Sequence, residues 1–354
     1  MRENCRQSAG TPKRTTLIAS TPFIQRGHAT EAHVVRFHEA GGPEVLKPET
    51  IDIGTCGAGQ VLLKQTACGL NYLDTYQRSG AYKLPLPSGC GNEAAGIVEA
   101  IGPDVKDLKI GDRVAYAMGE PGAYASHRIY PAARLVKIPD GISDEMAAAS
   151  MLKGMTTEYL LQRCAPLRAG HFALMYAAAG GVGLFAGQWA KAMGVNLIGV
   201  AAGEEKCALA KANGYHTVID RTKEDILTRV REITGGKGVP VVYDSIGKAT
   251  FETSMNCLQP RGIFVSFGAT SGLPPAVEAP MLQKLGSLYF TRPTLATYAG
   301  SRADLELSSN ALFRHLKSGA VKPHIGHRYP LTEAAQAHAD LEAGRTQGSQ
   351  LLLP

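Results

Sequence analysis

The stretch Phe172-Ala173-Leu174-Met175-Tyr176-Ala177-Ala178-Ala179-Gly180-Gly181-Val182-Gly183 decides the fold. Its first half, 172–177, is apolar throughout, as a strand buried on both faces of a sheet would be. Its second half is a turn of small residues. Beyond it Val182, Phe185, Ala186, Trp189, Ala190 and Met193 recur at i, i+3, i+4, i+7, i+8 and i+11, one face of a helix that Gly194 ends. Strand, small-residue turn and helix in this order let a backbone approach a pyrophosphate closely. The helix start supplies unpaired N–H groups and the positive end of its dipole.

Downstream the same rhythm repeats. Strands are expected at 195–200, 217–219, 239–243 and 263–267, and helices at 204–213 and 223–233. Repeated βα units imply a doubly wound parallel sheet, and with it a dinucleotide site. The second strand ends Val200-Ala201-Ala202-Gly203, without the acid that would accept from a ribose 2′-hydroxyl. Glu204 and Glu205 come just after it, where helix-start acids are favoured by the dipole. Lys206 and Arg221 are cations suited to a 2′-phosphate. The balance favours NADPH over NADH.

Upstream, residues 31–150 read as a mostly β domain. Strand-like runs at 33–37, 60–66, 95–101 and 111–117 are separated by Gly/Pro turns. Residues 1–30 hold five basic residues and one acid, and read as a disordered extension or a loose match to an organelle transit peptide.

The whole chain of 354 residues is 44% apolar and 19% charged, which supports a full core in about two domains. No apolar run is long enough to span a membrane as a helix. The net charge is +6, but the first thirty residues account for +4 of it. A nucleic-acid surface, which needs a basic face on the fold itself, is therefore disfavoured. Seven cysteines, none in a C-x-x-C pair, fit neither a disulfide framework nor a zinc ribbon and point to a reducing, cytoplasmic setting.

Eight segments then carry a resemblance: Gly-Gly-Pro-Glu-Val-Leu at 41–46, Gly-Leu-Asn-Tyr-Leu-Asp-Thr-Tyr at 69–76, Gly-Asn-Glu-Ala-Ala-Gly at 91–96, Gly-Asp-Arg-Val at 111–114, Ala-Ala-Ala-Ser at 147–150, the turn at 177–183, Val-Tyr-Asp-Ser-Ile-Gly at 242–247 and Thr-Gln-Gly at 346–348. In this order the chain, from about residue 31 to its end, resembles the zinc-free, zeta-crystallin-like quinone oxidoreductases of the medium-chain dehydrogenase/reductase superfamily. The resemblance implies an α/β architecture: a GroES-like, mostly β catalytic domain (31–153 and 297–354) with a Rossmann domain (154–296) inserted in it. It also implies NADPH in the cleft, a quinone as the small-molecule partner, no zinc, and a homodimer.

Carried over residue by residue, Gly180, Gly181, Val182 and Gly183 match the pyrophosphate turn, and Lys206 the 2′-phosphate. Ser245, Phe267 and Gly268 match cofactor-facing loops, and Phe290, Thr291 and Arg292 a stretch beside the nicotinamide. Asn71, Tyr76, Tyr82 and Thr156 match positions around the nicotinamide and quinone. Gly203, Arg221 and Arg345 depart from the pattern: relatives often have Ser or Thr at the first, Tyr at the second, and the phosphate Arg one position away from the third. All three are kept as cofactor candidates.

Asn71, Asn92 and Glu93 match the positions at which zinc relatives place Cys, His and Glu. Two carboxamides in place of thiolate and imidazole remove both strong ligands. A quinone accepts electrons readily and its reduced anion is delocalised, so positioning supplies much of the catalysis. Asn71 and a Tyr hydroxyl are expected to donate to the reduced oxygen, with protons coming from water. Blander roles stand beside these. Asn71 holds its own loop, Asp74 caps the next helix, Tyr76 and Tyr82 pack with a wet tip, Glu93 is structural, and Lys153 and Thr156 pack at a hinge. His33, His38, His127 and His171 read as strand or loop residues. Two other functions compete: an NADPH-dependent enone or 2-alkenal reductase, which needs a proton donor for the α-carbon, and a cofactor-binding protein that binds RNA.

Overall fold

The computed structural model describes residues 30–165 and 167–354. The expectation for residues 1–30 therefore lies, but for Thr30, outside the described residues. A six-stranded, all-parallel sheet runs Thr217–Asp220, Asn196–Ala201, Phe172–Met175, Val239–Asp244, Leu258–Ser266, Tyr289–Thr291. The apolar run that opens the decisive stretch lies at its centre, with Leu174 paired to Ile198 on one side and Val242 on the other. That double burial is why it reads as an unbroken hydrophobic strand. The helix after it, Gly181–Ala192, buries Phe185, Ala186, Trp189 and Ala190, the stripe read from the sequence.

The first part of the chain forms a mixed seven-stranded sheet around the long strand Gln60–Leu70 and its neighbour Glu93–Ile101, plus a small sheet of Lys47–Asp52, Glu31–Phe37 and Ser88–Gly89. The chain end returns to it: Ser349–Leu353 pairs antiparallel with Gln60–Leu70, placing Leu351 opposite Gly69. The helix Met151–Glu158, continued by a π-helical turn Tyr159–Cys164, joins the two sheets. Its Met151 and Met155 share one core with Ala95, Ala115, Ala173 and Trp189, drawn from both.

The α/β class and the two-part architecture agree with the sequence reading. Several boundaries shift for physical reasons. The strand expected at 60–66 runs on to Leu70 because 67–70 are held by Glu93–Ala95 on one side and Gln350–Leu352 on the other. The helix expected from 223 begins at Ile226, where Asp225 caps it by accepting from Thr228 N–H at 2.8 Å. The strand expected from Gly111 begins at Arg113, since Gly111 turns at φ +88°. Phe267 lies in the loop beyond Leu258–Ser266, not on the strand. The π-helical turn has no sequence signal.

Candidate active site

The glycine turn is shaped by close approach. A Cβ on Gly183 would lie 2.3 Å from Ala177 O and 2.6 Å from Ala178 O, both rigid backbone atoms. Ala177 itself sits at φ +52°, a conformation an L-residue adopts at a cost of about 1–3 kcal/mol. The first hydrogen bond of the helix is Leu184 N–H to Gly180 O, so the N–H groups of Gly181, Val182 and Gly183 precede the ladder, as an oxyanion site requires. The tail of the chain lies against this turn: Gly348 bridges Gly180 and donates to Ala179 O at 3.2 Å.

At the end of the next strand, Gly203 (φ +83°) donates its N–H to Asp220 Oδ1 at 2.9 Å. That bond, with those from Thr222, holds the Asp220 carboxyl below the ordinary range. Arg221 N–H donates to Ala201 O at 3.0 Å, which sets exposed Arg221 beside the end of the second strand. Lys206 Nζ donates to Gly344 O at 2.8 Å, and Gln347 Nε2 to Glu205 Oε1 at 2.6 Å. Lys206, Glu205 and the 344–348 segment thus meet at one edge. Arg345 points elsewhere: its guanidinium grips Asp340 at 2.6 Å.

Across the cleft, Asn71 caps the helix Tyr72–Arg78 and Asp74 Oδ2 accepts its N–H at 2.8 Å. The helix-capping role of Asp74 and the loop-holding role of Asn71 are both present. The amide hydrogens of Asn71 go to Glu93 Oε1 (2.9 Å) and, more weakly, Gly69 O (3.4 Å). This corrects the expected role of Asn71 as a donor to the substrate oxygen: its NH2 is spent inside the protein, and its Oδ1 is what remains to accept. Glu93, fully buried, also accepts from Leu152 N–H (2.6 Å) and from Lys153 Nζ (2.6 Å). The Lys153 stem lies against the turn, since a Cβ on Gly181 would meet its Cδ at 2.8 Å and Cε at 2.9 Å. Thr156, 6% exposed, is on the next turn of the same helix.

Asn92 donates to Asp74 Oδ1 and Gln77 Oε1, each at 2.6 Å. Behind it runs a buried chain. Tyr124 O–H donates to the other Asp74 oxygen (2.8 Å), His338 Nε2 lies 3.0 Å from Tyr124 Oη, and Arg78 donates to His338 Nδ1 (3.2 Å) and pairs with Glu342 (2.8 Å). Those partners assign the proton to His338 Nε2. Burial pushes Asp74 up to about 6 and His338, which also faces Arg78, down to about 3.

The tyrosines line the cleft. Tyr76 Oη accepts from Ala269 N–H at 3.2 Å and Tyr82 Oη from Arg292 at 3.1 Å, so each keeps its own O–H free to donate. Their rings are 5.4 Å apart. Burial raises the Tyr76 phenol to about 12, which keeps it protonated. Phe267 N–H donates to Asp244 O, and a Cβ on Gly268 would lie 2.6 Å from Ser245 O, so these three share one loop pair at the sheet end. The Phe290 ring stacks on Phe264 (5.3 Å) and is partly spent as core; Thr291 follows on the same edge strand.

From sequence, Lys153 reads as hinge packing or a cofactor contact, and Tyr124, His338, Arg78 and Glu342 carry no signal. No local spacing announces them, because their partners are up to 264 positions away.

Residues 57–140 match the alcohol dehydrogenase GroES-like domain family and residues 181–308 the zinc-binding dehydrogenase family. A quinone oxidoreductase of Pseudomonas aeruginosa is 50% identical over 90% of this chain and 99% of its own length. The chain belongs to the quinone oxidoreductase family. The crystal structure of the family member from Escherichia coli, complexed with NADPH, superposes with a TM-score of 0.89 at 46% identity, over 91% of this chain and 100% of that one. A 2-haloacrylate reductase of a Burkholderia species is similar too, at 42% identity over 90% of this chain and 97% of its own length. The resemblance read from the eight segments is thereby confirmed at the level of family, fold and enzyme class.

Proposed function

We propose that this chain is an NADPH-dependent quinone reductase that works without a metal ion. The observation that carries this reading is the Asn71–Glu93–Lys153 lock. Of the three positions that would ligate zinc, Asn71 and Glu93 are tied to each other, Asn92 is tied to Asp74 and Gln77, and the one carboxylate among them is neutralised by an ammonium at 2.6 Å. Among the described residues no three His, Cys, Asp or Glu side chains converge on a point.

The residues present fit NADPH. The N–H groups at 181–183 suit its pyrophosphate. Lys206 and Arg221 are the cations available to a 2′-phosphate, and they would have to outweigh the Asp220 carboxylate that accepts from Gly203 N–H at 2.9 Å. Arg345 would have to leave Asp340 to join them. Gly203, Ser245, Phe267, Gly268, Thr291 and Thr156 are kept as cofactor contacts on the strength of the family resemblance. When bound, the cofactor supplies a hydride. Tyr76 O–H, fixed by Ala269 and protonated at neutral pH, donates to the oxygen on which charge develops. Asn71 Oδ1 accepts from a hydroxyl or amide of the bound pair. The one proton that the hydride transfer leaves to be supplied comes from solvent.

The test is oxidation of NADPH and NADH with a panel of small quinones and a 2-alkenal, after dialysis against a chelator. Rapid turnover of quinone with NADPH is expected to survive dialysis. A tenfold preference for the alkenal would favour the enone-reductase reading, in line with the 2-haloacrylate relative. Loss of activity on chelation would remove the metal-free claim.

We also propose a homodimer in a reducing, cytoplasmic setting. The edge strand Tyr289–Thr291 pairs on one side only, exposes Tyr289, and is open to a second copy. Sedimentation at the monomer mass of 37.5 kDa would overturn the dimer.

A further inference from the structure

Arg292 follows the edge strand and is exposed at the mouth of the cleft. One terminal nitrogen donates to Ser266 Oγ and the other to Tyr82 Oη, both at 3.1 Å. Ser266 is buried at the end of the strand Leu258–Ser266, so it is a fixed anchor. Both oxygens are neutral, and among the described residues no carboxylate lies within 4.0 Å of the guanidinium. Arg78, on the helix that carries Tyr76, differs in being paired with Glu342. Arg292 is therefore a cation held in place by the fold with its charge unmatched.

Its position is specific. Tyr82, which it holds, stands 5.4 Å ring to ring from Tyr76, and Tyr76 stands 5.5 Å from Tyr72. An aromatic wall of two rings, tilted 52° to each other, thus runs from the free Tyr76 hydroxyl to the Arg292 guanidinium. A flat acceptor lying on that wall with its reducible oxygen at Tyr76 extends its substituents toward Arg292. A planar guanidinium with spare N–H groups binds an oxyanion through two parallel hydrogen bonds.

We propose that Arg292, oriented by Tyr82 and Ser266, is a specificity-determining residue that favours acceptors whose ring carries a carboxylate or sulfonate. This rests on the quinone-reductase reading and moves the Arg292 side chain from the cofactor to the acceptor. The reaction is otherwise unchanged. The quinone gains a hydride from NADPH and one proton from solvent, leaving as the hydroquinone with its anionic group intact, and NADPH leaves as NADP+.

The experiment measures kcat/KM for 1,2-naphthoquinone-4-sulfonate and for 1,2-naphthoquinone, and takes their ratio in wild type and in Arg292→Gln. The ratio removes the intrinsic reactivity of the two quinones. A charge-assisted contact of this kind predicts a ratio about tenfold lower in R292Q. In wild type the ratio should also fall as salt rises from 20 to about 300 mM, because a part-exposed pair is screened. An equal ratio in both proteins overturns the proposal, as does a raised KM for NADPH with an unchanged ratio, which would return Arg292 to the cofactor. If R292Q does not fold, a wild-type ratio insensitive to salt overturns it. Wild type that turns over neither quinone would instead mean that the quinone-reductase reading had failed.

Discussion

Replacing Lys153 by Met removes one half of a buried ion pair while keeping most of the side-chain volume. Lys153 is 4% exposed and Glu93 fully buried, with Nζ and Oε1 2.6 Å apart. At an effective dielectric constant of 20, Coulomb attraction at that distance is about 6 kcal/mol, before the desolvation of both charges is subtracted. In Lys153→Met, Glu93 keeps the Leu152 and Asn71 donors it already had, so nothing new offsets its charge. Breaking one side of a buried pair costs about 3–5 kcal/mol, which is two to nearly four decades in the unfolding constant. The Met stem still covers Gly181, so lost packing adds little, under about 1.5 kcal/mol. The double variant K153M/E93Q removes both charges and should return to within about 1–2 kcal/mol of wild type. Urea unfolding can be followed by the single tryptophan, Trp189, fully buried on the helix that leaves the glycine turn. A loss below about 1 kcal/mol in K153M, or a double variant no more stable than K153M, would refute the reasoning.

Other predictions follow from the same geometry. Tyr76→Phe removes the free hydroxyl and leaves the Ala269 N–H without its partner; kcat for a quinone at saturating NADPH should fall about tenfold or more, and an unchanged kcat would exclude Tyr76 as the donor. In Gly181→Ala the new Cβ meets a Lys153 stem that cannot swing while Glu93 holds it, so the KM for NADPH should rise about tenfold; a change within twofold would count against the lock. His338, at about 3 in the folded chain, lies below its unfolded value of 6.5, so its stabilising contribution is full above pH 6.5 and is lost as pH falls toward 3. Asp74, at about 6, behaves oppositely: its contribution is present below pH 4 and lost as pH rises through 6. Because Asp74 is common to wild type and His338→Gln, the difference between their unfolding free energies isolates His338. It should change in favour of H338Q by roughly 2 kcal/mol between pH 6.5 and 4.5, the slope approaching about 1.4 kcal/mol per unit only below pH 5.5. A constant difference would show that the ring does not titrate as its burial requires.

The dinucleotide half was legible in the sequence because its determinants are local. A doubly buried strand must be apolar at 172–175, a close turn must lack side chains at 180, 181 and 183, and the helix face must repeat at 3.6 residues; neighbours in sequence decide each of these. The tyrosines were legible as candidates, but not the direction of their hydrogen bonds. That direction depends on Ala269 and Arg292, about 190 and 210 positions away. Asn71 shows the limit most clearly. As a residue type it signals that a thiolate ligand is missing, yet whether its amide faces the substrate or Glu93 is decided by where the strand Glu93–Ile101 lies.

By itself, then, the order of residues determined that this chain builds a parallel sheet with a close glycine turn between its first strand and helix. Those properties follow from periodicity, glycine placement and side-chain chemistry, which are local. Only the tertiary structure decided that Lys153 neutralises Glu93, that His338 and Asp74 share a buried chain, that Arg345 faces Asp340, and that Arg292 stands unmatched. Charge compensation is a matter of distance in space, and a linear sequence does not contain that distance until the strands are paired.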